Sequence, residues 1–180
     1  MILTKTPFRI TFFGGGSDYP DWYLHNGGKV INATINKFCY VSLKELPSFF
    51  EYKFRLRYFR TEEAETIDEI THPSIKACLN FMKASEGLEL VHQADLPARS
   101  GLGSSSTFTV ALLHGLNTWQ QNKISKRDLA LNAIHIEQNI IGEKVGSQDQ
   151  VAAAFGGFNF IHFSFKRLHG IALFFSCCFF

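Results

Sequence analysis

The segment that most constrains this chain is a glycine- and serine-rich stretch at residues 97–107, Pro-Ala-Arg-Ser-Gly-Leu-Gly-Ser-Ser-Ser-Thr. Residues 88–93 before it alternate apolar and polar side chains, which is typical of a strand. After it, Val110, Leu113 and Leu116 recur at roughly helical spacing. The sequence therefore predicts a strand, a tight glycine loop and the start of a helix, in that order.

The chemistry of this loop is suited to an anion. Gly101 and Gly103 allow positive φ and a close approach of the backbone to a ligand. Free N–H groups at a helix start, with the positive end of the helix dipole, favour negative charge. Hydroxyls at residues 104–107 can donate to phosphate or bind a metal ion, Arg99 adds positive charge, and the stretch contains no carboxylate. These features predict a phosphate cradle, although the Gly-Lys-Ser/Thr ending of the common P-loop is absent.

Two other interpretations of the same loop are a flexible Gly/Ser linker and a serine-capped helix without a ligand. The position of the loop, directly between a strand and an apolar helix, argues against a linker. The serine-capped helix stays open at this point, because short motifs give false positives.

Composition bounds the class of protein. The chain has 180 residues, 46% hydrophobic and 19% charged, which predicts one globular domain with a real core. The formal net charge of +2 and the dispersed basic residues argue against nucleic acid or a membrane surface as a partner. The four cysteines form no CxxC pair, and we see no signal peptide and no run of about 20 apolar residues. We therefore expect reduced thiols and a cytoplasmic protein.

Hydrophobic periodicity predicts the remaining elements. Residues 2–13 are expected to form a strand, with Pro7 at an edge or a bulge. Further strands are expected at 30–36, 38–44, 54–59 and 158–163, and helices at 74–85 and 126–141. Gly142 is expected to end the second helix.

Two further loops carry candidate functional residues. Glycines at 14–16 precede Ser17, Asp18 and Tyr19, so Asp18 either caps the helix that follows or points at substrate hydroxyls. Near the other end of the chain, Ser147 and Gln150 have the spacing of a capping box. Asp149 would then lie in the first turn of a helix, where the dipole favours its ionised form.

Three separated segments, at residues 7–19, 97–106 and 146–150, together resemble the motifs of the GHMP small-molecule kinases, which include galactokinase, homoserine kinase, mevalonate kinase and phosphomevalonate kinase. Their order and spacing also agree, and the resemblance covers residues 1–163. It implies an α+β fold like that of domain 2 of ribosomal protein S5, with a mixed sheet and helices packed on one side. Residues 1–163 would be the ATP-binding N-terminal domain.

The resemblance also implies roles for individual residues, with ATP and Mg²⁺ as cofactors. Asp149 and Arg9 would be catalytic, and Ser105 and Glu137 would bind the metal. The ATP phosphates would be held by Pro97, Arg99, Ser100, Gly101, Leu102, Gly103, Ser104, Ser105 and Ser106. The substrate would contact Gly16, Ser17, Asp18 and Tyr19.

Within the family, residues 14–19 and 146–160 look most like the D-glycero-D-manno-heptose 7-phosphate kinases. That likeness implies phosphorylation of the anomeric hydroxyl of a sugar phosphate, giving a 1,7-bisphosphate for nucleotide-activated heptose and surface polysaccharide. Galactokinases carry Glu-His where this chain has Gly15 and Gly16, and the smaller residues imply a differently shaped sugar pocket, which disfavours galactose as the substrate. The alternatives are another sugar kinase of the family, such as a fucokinase, an inactive nucleotide- or sugar-binding remnant, and a structural domain that does not bind MgATP.

The resemblance stops near residue 163. The remaining residues, 164–180, form an apolar tail without caps or polar punctuation, and we see no counterpart of the third motif or of the family's C-terminal domain. We therefore expect an N-terminal fragment with an aberrant tail and with weak or absent turnover. The oligomeric state is not indicated by the sequence.

Overall fold

The computed structural model describes residues 1–97 and 100–163. Within these residues the strands are β1 (Ile2–Phe13), β2 (Gly28–Glu45), β3 (Phe54–Arg57), β4 (Thr61–Ala64), β5 (Leu88–Ala94) and β6 (Phe158–Phe163). The α-helices are α1 (Pro20–Asn26), α2 (Pro73–Phe81), α3 (Ser104–Trp119), α4 (Lys126–His135) and α5 (Gln148–Phe155). A 3₁₀ turn spans Ile67–Glu69, and a π-helical turn, Ile136–Ile141, directly continues α4.

The strands form one mixed sheet in the order β1-β2-β5-β3-β4, with β6 paired to β2. The β3–β5 pair is parallel, and the other pairs are antiparallel. Helices α3 and α5 pack against β1 and β2. The predicted α+β class, with a mixed sheet and helices on one side, is confirmed.

Strand β2 differs from the prediction. The sequence predicted two adjacent strands at 30–36 and 38–44, whereas the structure has one continuous strand of 18 residues. Its first part pairs with β6 and its last part pairs with β5, while β1 runs beside both. Different neighbours along one strand give each half its own burial pattern, which explains why the halves looked separate.

Strand β1 changes the direction of its side chains where it approaches the site. In its first part the even-numbered residues Thr4, Thr6 and Phe8 are buried under the helices. Further along, the odd-numbered Thr11 faces α5 and donates a hydrogen bond to Gln148. The change from even to odd positions coincides with a register shift between Pro7 and Arg9. A bulge re-aims side chains in this way, so the predicted placement of Pro7 at an edge or bulge is confirmed.

The core lies between the sheet and the helices. Its largest fully buried side chains include Leu43, Leu90, Leu112 and Leu113, which join the middle of the sheet to α3. Gly115 lets α3 approach the sheet, because a Cβ there would lie 2.9 Å from Cδ1 of Leu43. The rigid contact of α3 with β2 fixes where the N-terminus of α3 points.

The remaining predictions concern the cysteines, Arg99, the tail and the absence of a membrane-spanning segment. Cys39 and Cys78 are buried free thiols, and burial raises the pKa of Cys39 to about 12. Arg99, the tail at 164–180 and its two cysteines lie outside the described residues. Among the helices that are described, none combines the length and the apolarity needed to cross a membrane.

Candidate active site

The glycine loop has the geometry that the sequence predicts. Gly101 and Gly103 have φ of 75° and 77°, in the left-handed region that favours glycine. Gly103 is the residue before α3, and no side chain caps the helix at this end. The first N–H groups of α3 are therefore available to an anion, and Ser100, Gly101 and Ser105 are exposed.

Arg9 and Asp149 form a bidentate ion pair next to this loop. Arg9 Nε donates to Asp149 Oδ1 at 2.7 Å, and Arg9 Nη2 donates to Asp149 Oδ2 at 2.7 Å. The two side chains are only 12% and 21% exposed. Bidentate pairs of this kind are strong and fix the orientation of both partners. The structure thus brings the two predicted catalytic residues together.

The same arginine also holds the glycine loop. Arg9 Nη1 donates to the carbonyl of Gly101 at 2.9 Å, and the backbone N–H of Arg9 faces the carbonyl of Leu102 at 3.4 Å. Gly103 packs against the carboxylate so closely that a Cβ there would lie 3.0 Å from Asp149 Oδ2. Strand β1, the loop and the first turn of α5 therefore meet at one point.

The environment of Asp149 acts on its protonation in two directions. Burial raises the pKa of the Asp149 carboxyl above its ordinary value, while the charge and the hydrogen bonds of Arg9 lower it. The nearby charge of Asp18 also raises it. The carboxylate lies in the first turn of α5, as predicted. The positively charged guanidinium of Arg9 is in direct contact with it.

Glu137 belongs to a second, deeper cluster. It is 1% exposed and lies in the π-helical turn after α4, an irregularity that is common at functional sites. Ser106 Oγ donates to Glu137 Oε2 at 2.7 Å, and Gln150 Nε2 donates to the same oxygen. Burial raises the pKa of the Glu137 carboxyl, and its neutral hydrogen-bond partners oppose the rise.

The predicted metal pair is Ser105 with Glu137, but the residue in contact with Glu137 is Ser106. Ser106 is 4% exposed and faces the interior, whereas Ser105 is exposed one position earlier on α3. Successive residues of a helix point about 100° apart, so the loop motif alone does not determine which serine faces inward.

The predicted capping box at the start of α5 is wrong. Ser147 precedes the helix, but its side chain makes no capping hydrogen bond. Its hydroxyl instead accepts from Gln138 Nε2 at 3.0 Å and lies 3.4 Å from the hydroxyl of Tyr23. Gln150 is fully buried and points toward Glu137, because the helix turns this residue into the core rather than back toward its own N-terminus.

Asp18 is 1% exposed and holds the two outer loops together. Its carboxylate accepts from the N–H of Gly16 at 3.1 Å and from the N–H of Gln148 at 3.2 Å. Gly146 permits this contact, since a Cβ there would collide with the carboxylate. Asp18 thus caps α5 and not the helix that follows it in sequence, which begins after Tyr19 without a side-chain cap.

The other predicted substrate residues line the same loop. The hydroxyl of Ser17 donates to the carbonyl of Gly14 at 2.8 Å and accepts from the N–H of Lys29 at 3.2 Å. Gly16 and Tyr19 are exposed, and Gly16 has a φ of 92°. Ser17 therefore shapes the loop, while Gly16 and Tyr19 are open to solvent beside it.

The donor set around Glu137 fits a hard divalent cation such as Mg²⁺. Within the described residues, Glu137 Oε1 and Gln150 Oε1 are buried and have no hydrogen-bond partner. Oxygen ligands of this type suit Mg²⁺, which binds through one or two carboxylates together with substrate phosphates and waters. Among these residues no three His, Cys, Asp or Glu side chains are grouped to hold a metal. A cation at this site would therefore need ligands other than protein carboxylates.

Comparison with known proteins agrees with this geometry. Residues 73–157 match the family described as GHMP kinases N terminal domain. The D-glycero-alpha-D-manno-heptose 7-phosphate kinase of Campylobacter jejuni is 32% identical, over 90% of this chain and 50% of the relative. A galactokinase of Chloroflexus aggregans is 26% identical, over 86% of this chain and 40% of the relative.

The fold has a solved counterpart. The crystal structure of a D-glycero-D-manno-heptose 1-phosphate kinase from Bacteroides thetaiotaomicron superimposes with a TM-score of 0.83 and 28% identity. It covers 91% of this chain and 56% of that protein. The present chain therefore spans about half the length of the relatives that it matches.

Proposed function

We propose that the chain functions as part of an ATP-dependent sugar kinase, from the premise that residues 73–157 are a GHMP kinase N-terminal domain. Its substrate would be D-glycero-D-manno-heptose 7-phosphate, phosphorylated at the anomeric hydroxyl to the 1,7-bisphosphate. The product would enter the synthesis of nucleotide-activated heptose for surface polysaccharide. We further propose a cytoplasmic location, where ATP and sugar phosphates are available.

The observation that carries the proposal is the convergence of Arg9, Asp149 and the glycine loop. Arg9 contacts the carboxylate with two nitrogen atoms and the loop carbonyl of Gly101 with a third. Phosphoryl transfer depends mainly on positioning and on neutralising charge. A pre-set arginine and carboxylate at the mouth of an anion-binding helix supply both.

In the proposed reaction, the sugar hydroxyl oxygen forms a bond to the γ-phosphorus of ATP, and the bond from that phosphorus to the bridging oxygen of ADP breaks. The hydroxyl proton passes to the Asp149 carboxylate. Burial raises the pKa of this carboxyl, which makes it a better proton acceptor than an exposed aspartate. Arg9 stabilises the charge on the transferring group and holds Asp149 in one orientation.

The loop N–H groups at residues 101–106, with Ser100 and Ser104, would hold the ATP phosphates, and Arg99 and Pro97 belong to the same proposed set. Glu137 with Ser105 or Ser106 would hold Mg²⁺. When bound, Mg²⁺ would neutralise charge on the phosphates. Asp18, Gly16, Ser17 and Tyr19 would form the sugar side of the site.

We propose the domain organisation on the same grounds. Residues 1–163 would form the N-terminal, ATP-binding domain. The heptose phosphate is favoured over galactose because the relative at 32% identity is named for that substrate. Galactose and fucose are the competing sugars, since a galactokinase and a bifunctional fucokinase are also similar, at 26% and 27% identity.

The first experiment is thermal unfolding of the 180-residue chain with and without MgATP. A ligand that binds only the folded state adds about 2.7 kcal/mol at 100 times its dissociation constant. We expect a cooperative transition that rises with MgATP. A cooperative transition that MgATP leaves unmoved would count against the phosphate cradle.

ADP release with heptose 7-phosphate, galactose and fucose then tests the reaction and the sugar. We expect slow release that is fastest with the heptose phosphate and is lost in Asp149→Asn. Faster release with galactose or fucose would reassign the substrate. MgATP binding without ADP release from any sugar would favour a nucleotide-binding remnant.

A further inference from the structure

The cluster of Ser106, Glu137 and Gln150 contains more hydrogen-bond acceptors than donors. The hydroxyl proton of Ser106 goes to Glu137 Oε2. The amide nitrogen of Gln150 donates to that same oxygen and to Ser106 Oγ, which lies 3.2 Å away. With these donors used, Glu137 Oε1 and Gln150 Oε1 are left, both buried and without a partner within the described residues.

The orientation of the Gln150 amide follows from its neighbours. Turning the amide around would place its oxygen against Glu137 Oε2, and two acceptors would then face each other. The hydroxyl of the neighbouring Thr109 donates to the carbonyl of Ser105 at 3.3 Å. Thr109 also lowers the pKa of the Glu137 carboxyl, but it carries no charge that could balance the carboxylate. The open atom of Gln150 is therefore its oxygen.

The negative charge of Glu137 has no positive partner within the part of the chain that the structure describes. None of the ion pairs there includes Glu137. Arg9 is bound to Asp149 instead. A buried carboxylate is costly unless a cation or several donors compensate it, and here only neutral groups contact it.

We propose that Gln150 supplies an oxygen ligand to a divalent cation held by Glu137, with Ser106 as the third member of the site. The identity of the cation as Mg²⁺ rests on the proposed kinase function. The ligand set itself rests on the two open oxygens and on the unpaired charge. A divalent cation would satisfy both oxygens and the charge together.

This assignment joins the cation to the ion pair at the front of the site. Gln150 directly follows Asp149 in the first turn of α5, so the two side chains leave the same turn in different directions. Asp149 reaches Arg9, and Gln150 reaches Glu137. A cation that binds Gln150 therefore also restrains the turn that carries Asp149.

The test is Mn²⁺ binding to the 180-residue chain without nucleotide, measured by electron paramagnetic resonance of the free ion. Gln150→Met removes the amide at nearly constant length, and Gln150→Glu keeps an oxygen at the same place. Gln148→Met is the matched control, since Gln148 is a buried glutamine of the same turn that bonds to Thr11. Circular dichroism verifies that each variant is folded.

We expect Gln150→Met to weaken Mn²⁺ binding by about 10–100-fold, Gln150→Glu to bind at least as tightly as the wild type, and Gln148→Met to bind like the wild type. Unchanged binding in Gln150→Met, lost binding in Gln150→Glu, or no binding by the wild type would each overturn the proposal. If Gln150→Met does not fold, Gln150→Glu decides. The response of thermal unfolding to MgATP is scored separately: Gln150-dependent Mn²⁺ binding in a chain whose cooperative unfolding MgATP leaves unmoved would count against the kinase proposal and leave this one standing.

Discussion

Asp149 is a partly buried acid and Glu137 a fully buried one. The first turn of α5 connects them, yet their surroundings are opposite. Asp149 is paired with a guanidinium through two hydrogen bonds and its side chain is 21% exposed. Glu137 is 1% exposed and is contacted by a serine and a glutamine, which carry no charge. The chain neutralises one of the two charges itself and leaves the other for a ligand.

In the proposed kinase, this difference would separate two tasks of a phosphoryl-transfer site. A carboxylate that positions a hydroxyl must have one fixed orientation before substrate arrives, and Arg9 provides that. A carboxylate that binds a cation must keep an open oxygen, and Glu137 Oε1 is open. The following variants test whether the two acids are as different as their contacts indicate.

The largest expected effect is on turnover in Asp149→Asn. The amide keeps the shape of the side chain but accepts no proton, so we expect turnover to fall by about 10²–10⁴-fold. MgATP should still raise the unfolding temperature, since the glycine loop is intact. The matched control is Asp21→Asn, which changes an exposed first-turn acid of α1. Equal turnover in the Asp149 and Asp21 variants would contradict the catalytic assignment.

Glu137→Gln should change stability in the direction opposite to most site mutations. Removing a buried, unpaired charge should raise the free energy of unfolding by about 1–3 kcal/mol in the absence of divalent cations. Urea denaturation in EDTA measures this change. In Asp149→Asn the same measurement should give a decrease, because Arg9 loses its charged partner. A decrease in both variants would show that the two acids are compensated in the same way.

Gly103→Ala tests how closely the loop packs on the Asp149 side. A left-handed conformation costs a non-glycine residue about 1–2 kcal/mol, and the new Cβ would lie 3.0 Å from Asp149 Oδ2. Gly142→Ala is a matched control, because Gly142 has a similar left-handed conformation, with φ of 79°, and open space around its Cβ position. Both variants should unfold more easily in urea, but only Gly103→Ala should also lower turnover. The same loss of turnover in both would mean that backbone strain, not contact with Asp149, controls the site.

The smallest effect is expected for Thr11→Val. Thr11 Oγ1 donates to Gln148 Oε1 at 2.6 Å and supports the start of α5 from the β1 side. Loss of this hydrogen bond should cost about 0.5–1.5 kcal/mol in urea denaturation. Mn²⁺ binding at Glu137 should not change, because Thr11 contacts the opposite side of the turn. Weakened Mn²⁺ binding in this variant would indicate that the two sides of the turn are not independent.

Local patterns were sufficient to predict most of the fold. The glycine loop, strands β1, β5 and β6 and the helical region that ends at Gly142 lie where periodicity and turn residues place them. Helix α3 begins directly after the second glycine, as the loop pattern indicates. These features depend on neighbours in sequence, and such neighbours are visible without coordinates.

The contacts of the site could not be predicted in the same way. The Arg9–Asp149 pair and the cap that Asp18 provides for α5 join opposite ends of the chain. The inward turn of Gln150 depends on what α5 packs against, so the Ser147–Gln150 spacing pointed to the wrong partner. The π-helical turn around Glu137 interrupts a helical pattern that looks regular in sequence.

The distance along the chain between Arg9 and Asp149 has a consequence for synthesis. The two residues are 140 positions apart, and translation proceeds at about 5–20 residues per second, so on the order of ten seconds separate their appearance. From the synthesis of residues 97–107 until the end of that interval, the glycine loop exists in the nascent chain without the helix that completes the site. Closing so long a loop is entropically slow. A chain whose synthesis stops before α5 would therefore lack Asp149, the carboxylate that Arg9 contacts in the complete site.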